Sequence, residues 1–267
     1  MKIIILFISI IIVLWILVRF LEPSLIYYPS RIINIPIAQR INYEEVTFKT
    51  DDGKNLWGIL SLSRDKKGTI IYFHGNAGNI YNRFDIIYNI QKQGFNVLAF
   101  DYRGYGKSSG EPDEEGLYKD GKAAFDYILN HPLIDKNNII FLGESLGGAV
   151  AVHLAQNTKF CKAIILISTF TSIQDMSKEI FSIFPLYIFS KSKYDSIKKI
   201  KNISVPILII HGTQDDIVPF SHGEKLFKQA NNPKNFIPIK GAQHNDIYIW
   251  EQGQIFNIIS DFISNLR

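Results

Sequence analysis

The chain has 267 residues, 46% of them hydrophobic and 20% charged, with a formal net charge of +4. That fits one sizeable α/β domain with a real core. The densest basic group, Lys198-Lys199 with Lys201, reads as a solvated helix end, so nucleic acid is not an expected partner. Cys161 is the single cysteine, which excludes an internal disulfide, and no Cys/His grouping has metal-ligand spacing.

The amino end is the first strong feature. Ile3 to Val18 carries no charge, and Arg19-Phe20-Leu21 extends the run. At about 1.5 Å per residue it crosses most of the roughly 30 Å hydrocarbon core, with Arg19 able to snorkel. A cleaved signal peptide is the rival reading. It needs a shorter apolar stretch and a small-x-small cleavage site, and Val18 to Pro23 offers none. The expectation is therefore a single-pass membrane anchor over 1–22, a connector over 23–40 with Tyr27 and Tyr28 near the interface, and one folded domain over 41–267. Lys2 on one side and Arg19, Arg31 and Arg40 on the other leave the side of the membrane open.

Beyond the anchor, Tyr43–Thr50 and Asn55–Leu62 alternate around Asp51-Asp52-Gly53, the pattern of a hairpin. Thr69–Phe73 reads as a buried parallel strand. Helix over Tyr81–Gln93, strand over Phe95–Phe100, helix over Leu117–Leu129 and strand over Asn138–Leu142 follow. Next come a helix over Ser145–Gln156, a strand over Ala163–Ile167 and a helical, Phe/Ile-rich stretch over about 172–200. Val205–Ile210, Gly223–Ala230, Asn235–Ile239 and Ile247–Leu266 complete the series as β, α, β, α. This alternation predicts a mostly parallel central sheet with helices on both faces.

One motif turns that scaffold toward chemistry. Gly143-Glu144-Ser145-Leu146-Gly147 follows the apolar run Ile139–Leu142 and precedes the small-residue run Gly148–Ala151. Strand, G-x-S-x-G, helix is the order of a nucleophile elbow. A second copy, Gly106-Lys107-Ser108-Ser109-Gly110, leads into Glu111-Pro112-Asp113 and reads as a turn. Its Gly-Lys-Ser is not a phosphate loop, because Asp101 stands where such a loop needs glycine.

A serine nucleophile needs a base, and the base needs a carboxylate. The strand at Ile207–Ile210 leads into His211-Gly212-Thr213-Gln214-Asp215-Asp216, where Asp215 is the favoured acid and Asp216 the alternative. His244, between the last strand and the last helix, is the favoured base, a bland surface histidine being the alternative. Of the other histidines, His131 and His222 are expected to be solvated, His153 packed or exposed, and His211 to orient the acid's loop. His74 belongs to the oxyanion region. The loop His74-Gly75-Asn76-Ala77-Gly78-Asn79 offers the N–H of Asn76 to pair with that of Leu146 as an oxyanion hole, and Asn79 can cap a helix there.

Five blocks together, 74–79, 101–106, 143–148, 211–219 and 241–246, resemble the α/β-hydrolase superfamily over roughly residues 40–267. The similarity is greatest to its single-pass, membrane-anchored abhydrolase-domain branch. The resemblance implies a Ser145, Asp215, His244 triad and no cofactor or metal. The short 172–200 segment reads either as packing on the sheet edge or as a small lid that lines an acyl pocket or touches the bilayer. The expected activity is a serine hydrolase acting on ester or thioester bonds of a small-molecule or lipid-like acyl substrate. A peptidase acting on short peptides and a non-catalytic membrane scaffold are the alternatives.

Overall fold

The structure, a computed structural model, describes residues 2–33, 42–180 and 189–266. It begins with α1 (Lys2–Ile26), then β1 (Tyr28–Pro29), β2 (Glu44–Lys49), β3 (Asn55–Ser61), β4 (Thr69–Phe73) and β5 (Ala77–Gly78). A 3₁₀ turn (Ile80–Arg83) leads into α2 (Phe84–Lys92), followed by β6 (Asn96–Asp101), α3 (Glu114–Leu129), β7 (Ile139–Glu144), α4 (Leu146–Ala155) and β8 (Cys161–Ile167). The remainder is α5 (Ile173–Ile180), α6 (Ser196–Lys199), β9 (Ile207–Gly212), α7 (Phe220–Gln229), β10 (Lys234–Ile239) and α8 (Gln254–Ser264).

The eight-stranded sheet runs β10-β9-β8-β7-β4-β6-β3-β2. Every pair from β10 to β6 is parallel, and β3 and β2 join antiparallel at one edge. The central strands are apolar on both faces, as a sheet covered twice requires. Along β4, Ile71 and Phe73 enter the core beneath α3, α4 and α7, while Ile70 and Tyr72 enter the core beneath α2 and α8. The period of two in the strand thus feeds two separate cores. Parallel strands bring all their carboxyl ends to one edge, where such sheets hold their ligand crevice. The loops after β4, β7, β9 and β10 all emerge there.

Several expected boundaries move. The last helix starts at Gln254 instead of Ile247, because Glu251, Gln252 and Gly253 occupy left-handed backbone that no helix can include. The first helix passes through Pro23 and ends at Ile26, where the Asn76 side-chain amide donates 2.9 Å to the Ile26 carbonyl. This satisfies one of the helix's orphan carbonyls. The adjacent backbone then pairs as β1 with β5, Tyr28 opposite Ala77. The first part of the stretch read as a connector, residues 23–30, is therefore joined to the domain. Tyr27, expected to face an interface, is instead buried in the protein, its hydroxyl 2.8 Å from that of Tyr194. Of the lid segment, Ile183-Phe184-Pro185-Leu186 and their neighbours from 181 to 188 lie outside the described residues.

Candidate active site

Ser145 sits between β7 and α4 with φ +51° and ψ −114°, a conformation rare for a residue with a Cβ. The turn closes because Gly147 lies against the backbone of β4. A Cβ there would overlap the Phe73 carbonyl and stand 2.5 Å from the His74 carbonyl oxygen. The Ser145 N–H donates 2.9 Å to the Ile167 carbonyl, tying the turn to the end of β8. α4 starts at Leu146, whose N–H, in the first turn, has no acceptor within the helix, while that of Gly148 donates 3.0 Å to the Ser145 carbonyl.

The acid and the base arrive on neighbouring loops. β10 pairs in parallel with β9, Ile239 opposite Gly212. The loops beyond them are laced together by Thr213 N–H to the Ile239 carbonyl and Gln214 N–H to the Ala242 carbonyl, both 3.0 Å. This brings His244 Nδ1 to 2.8 and 3.0 Å from the two Asp215 oxygens. The Asp215 side chain is fully buried and also accepts the N–H groups of Ile217 (3.0 Å) and Val218 (2.7 Å). Burial works against its ionisation, but hydrogen bonds from His211 and His244, attraction to the His244 ring when it carries a proton, and the Val218 amide outweigh it. The carboxyl is held well below the usual aspartate range. With Nδ1–H committed to this carboxylate, the lone pair on Nε2 is the one available for a proton. Asp216 receives only the His244 N–H, at 3.5 Å.

Ser145, His244, Asn76 and Leu146 line one cavity of about 810 Å³. No hydrogen bond joins Ser145 Oγ to His244 among the described residues; the two share the lining of one cavity. Asn76 is fixed on three sides. Its carbonyl accepts from Tyr28 N–H (3.0 Å) and Tyr105 hydroxyl (2.8 Å), and its side chain caps α1. Asn79 caps the 3₁₀ turn as expected, accepting from Tyr81 N–H. His74 is fully buried beneath this loop and packs on Tyr102 and Tyr105 at ring separations of 4.5 and 5.3 Å. Burial and the Arg83 charge hold its pKa down to about 3, while burial lifts that of neighbouring Asp101 to about 7. Their 3.7 Å approach is thus a contact of two groups driven toward their neutral forms, not an ion pair.

The other histidines sort by packing. His153 stacks on Tyr118 at 3.6 Å between ring centroids. His211 bonds the Val218 carbonyl at 2.8 Å and lies 3.3 Å from Asp215, which fits a role in shaping the acid's loop. His222 was expected at the surface but is fully buried, accepting 3.1 Å from Thr171 N–H, because α7 turns it inward beneath the cap. Cys161 is buried and its thiol is pushed up to about 12, the behaviour of a core residue. The second G-x-S-x-G is a turn: Ser108 is buried and donates to the Asp101 carbonyl at 2.7 Å. Among the described residues no group of three His, Cys, Asp or Glu side chains is placed to hold a metal.

Several cavity residues had escaped the reading of the chain. Glu144 and Arg83 stand 3.6 Å apart at the wall, with the Tyr72 hydroxyl bonded to Glu144. Glu22 of α1 is buried at 6% exposure and accepts from the Ser190 hydroxyl (2.6 Å) and from Lys191 and Ser192 N–H (both 2.7 Å). The signal for Glu22 was present: a lone acid at the end of an uncharged span needs a partner.

Residues 68–189 match the family model described as the alpha/beta hydrolase fold. Protein bem46 of Schizosaccharomyces pombe is 37% identical over 246 residues, covering 86% of this chain and 80% of that protein. The chain belongs to the α/β-hydrolase family. The alpha/beta hydrolase domain-containing protein WAV2 of Arabidopsis thaliana is 34% identical, covering 80% of this chain and 76% of that one. Among solved structures, the Pyrococcus furiosus esterase Pf2001 superposes with a TM-score of 0.74 at 23% identity, covering 90% of this chain and 97% of that one. Est1E of Butyrivibrio proteoclasticus, solved with ferulic acid bound, gives 0.70 at 20%, covering 83% and 99%. Both structural likenesses speak for the fold.

Proposed function

We propose that this α/β-hydrolase is a membrane-anchored serine hydrolase that cleaves carboxylic ester or thioester bonds. The observation that carries the reading is the bidentate approach of His244 Nδ1 to the buried Asp215 carboxylate, at the rim of the cavity that Ser145 enters from its strained turn. A carboxylate held in this way supports a histidine base by fixing its tautomer and stabilising the imidazolium that forms. Ser145 Oγ attacks the acyl carbonyl carbon as His244 Nε2 takes its proton. The carbonyl oxygen becomes an oxyanion held by the N–H groups of Asn76 and Leu146. Collapse breaks the bond to the alkoxide or thiolate leaving group, which receives the proton from His244. Water, deprotonated by His244, then attacks the acyl-serine carbonyl; the bond to Ser145 Oγ breaks, His244 returns the proton to that oxygen, and the carboxylic acid leaves.

Retention of α1 is part of this reading. Its best window has a mean hydropathy of 3.1, and a signal sequence would pass the same test. The Glu22 bonds and the capping of Ile26 by Asn76 favour a helix that stays attached. The test is labelling with a fluorophosphonate probe, wild type against Ser145→Ala and His244→Ala, beside a panel of esters, thioesters and amides. Labelling that vanishes in both variants, with esters or thioesters turned over faster than amides, is expected. A folded wild type that neither labels nor turns over any substrate would overturn the reading.

A further inference from the structure

The helix that reads as an anchor also lines the cavity. Leu14, Leu17, Val18, Leu21 and Leu25 all border it. Their spacing, i, i+3, i+4, i+7 and i+11, is one stripe of an α-helix, so a single face of α1 is turned toward Ser145. Across the cavity stand Ile173, Met176 and Ile180 of α5. Leu146, Phe170, Ile217 and Val218 add further apolar lining to the same cavity.

Depth follows from length. The part of α1 that lies beyond the cavity, Ile3 to Val13, is 11 residues, or roughly 16 Å. A hydrocarbon core is roughly 30 Å thick. A span that crosses it must therefore also immerse roughly 14 Å of the cavity-lining stretch, and tilting only increases that share. The cavity wall and the hydrocarbon of one leaflet occupy the same depth. Arg19 is consistent with this seating. Its guanidinium lies 5.0 Å from the Trp15 ring and its Nε donates 3.1 Å to the Phe189 carbonyl, so the charge has a partner on the cap.

We propose that α1 and α5 together form the acyl-chain site, and that the substrate is a membrane lipid or lipid-modified molecule whose long chain enters between them from the leaflet. The chain lies against the Leu14–Leu25 stripe with its ester carbonyl at Ser145, and its polar head faces the water-side rim at Asn245 and Arg83. α1 is then a specificity element and not only a tether. This rests on the serine-hydrolase reading, and the test separates the two.

Full-length Ser145→Ala protein is placed in phosphatidylcholine vesicles doped with a lipid whose long acyl chain carries a terminal diazirine. Photolabelling is mapped to residues by mass spectrometry. Label on Met176 and Ile180 of α5, competed by excess unmodified lipid and reduced at least tenfold by Leu17→Trp or Leu21→Trp but not by Ile16→Trp, is expected. Label confined to α1, or α5 label that the tryptophans leave unchanged, overturns the proposal. In the active protein the same two variants are expected to lower the ratio of palmitoyl- to butyryl-ester turnover about tenfold, with Ile16→Trp keeping the wild-type ratio. An unchanged ratio in all three also overturns it. Absence of fluorophosphonate labelling at Ser145 would instead sink the hydrolase reading, while the α5 label still decides the chain site.

Discussion

Glu22 offers the most direct check on how α1 is held. Its carboxylate takes three short hydrogen bonds, 2.6 to 2.7 Å, from residues 190–192 and is nearly excluded from solvent. A bond to a charged group contributes about 1.5–3 kcal/mol, and removing the acceptor strands the donors as well. The three share one carboxylate and are not additive. Glu22→Ala should therefore weaken the junction between α1 and the cap by about 4 kcal/mol. Glu22→Gln keeps one oxygen but turns an NH₂ toward a donor, so it should lose about 2 kcal/mol. At 1.4 kcal/mol per decade these are about a thousandfold and about thirtyfold in the opening equilibrium. Amide hydrogen exchange of a peptide spanning 189–196, on the full chain in detergent, reads that equilibrium. Exchange should quicken in the order wild type, Gln, Ala, while β4 and β7 stay protected. Equal exchange in all three would refute the claim that Glu22 fastens the helix.

Two further outcomes are expected. Gly147→Ala pushes a methyl into the carbonyls of Phe73, the last residue of β4, and His74, the first residue after it, both backbone groups with little room to yield. Thermal melts should show a loss of about 3 kcal/mol, with fluorophosphonate labelling slowed because Leu146 is moved. Burial raises the pKa of Asp101 from 3.8 to about 7, so between those values the unfolded chain has released a proton that the folded chain keeps. Stability contributed by this group is present below about pH 4 and is lost as pH rises toward 7. The stability of Asp101→Asn relative to wild type should therefore rise by about 1.4 kcal/mol per pH unit across that window. A difference independent of pH in denaturant titrations would contradict it.

Much of this was legible in the chain because it is local. Unbroken apolar strands such as Ile139–Leu142 and the glycines around Ser145 carry their reason for being within a few residues. Position past the end of a strand favoured Asp215, with Asp216 as its alternative, and position between the last strand and the last helix favoured His244 among the six histidines. What stayed hidden depends on contacts distant in sequence. The pairing of β1 with β5 involves only two residues on each side and leaves no period to detect. Glu22 meets Ser190 across 168 positions, and Tyr27 meets Tyr194 across 167. The misplaced start of the last helix has the opposite cause: Gly253 punctuates the chain, but the apolar run on either side of it read as continuous.

The seating of Asn76 has a practical consequence. One residue caps the end of the first helix with its side chain and lines the cavity that Ser145 and His244 share. A soluble protein made by deleting residues 1–26 would strip that amide of its acceptor, open one side of the cavity to water and expose the apolar face of α5. Such a fragment could fold around an intact sheet and still misreport the native enzyme's substrate preference. Biochemical work on this chain should therefore keep the first helix and supply it with detergent or lipid.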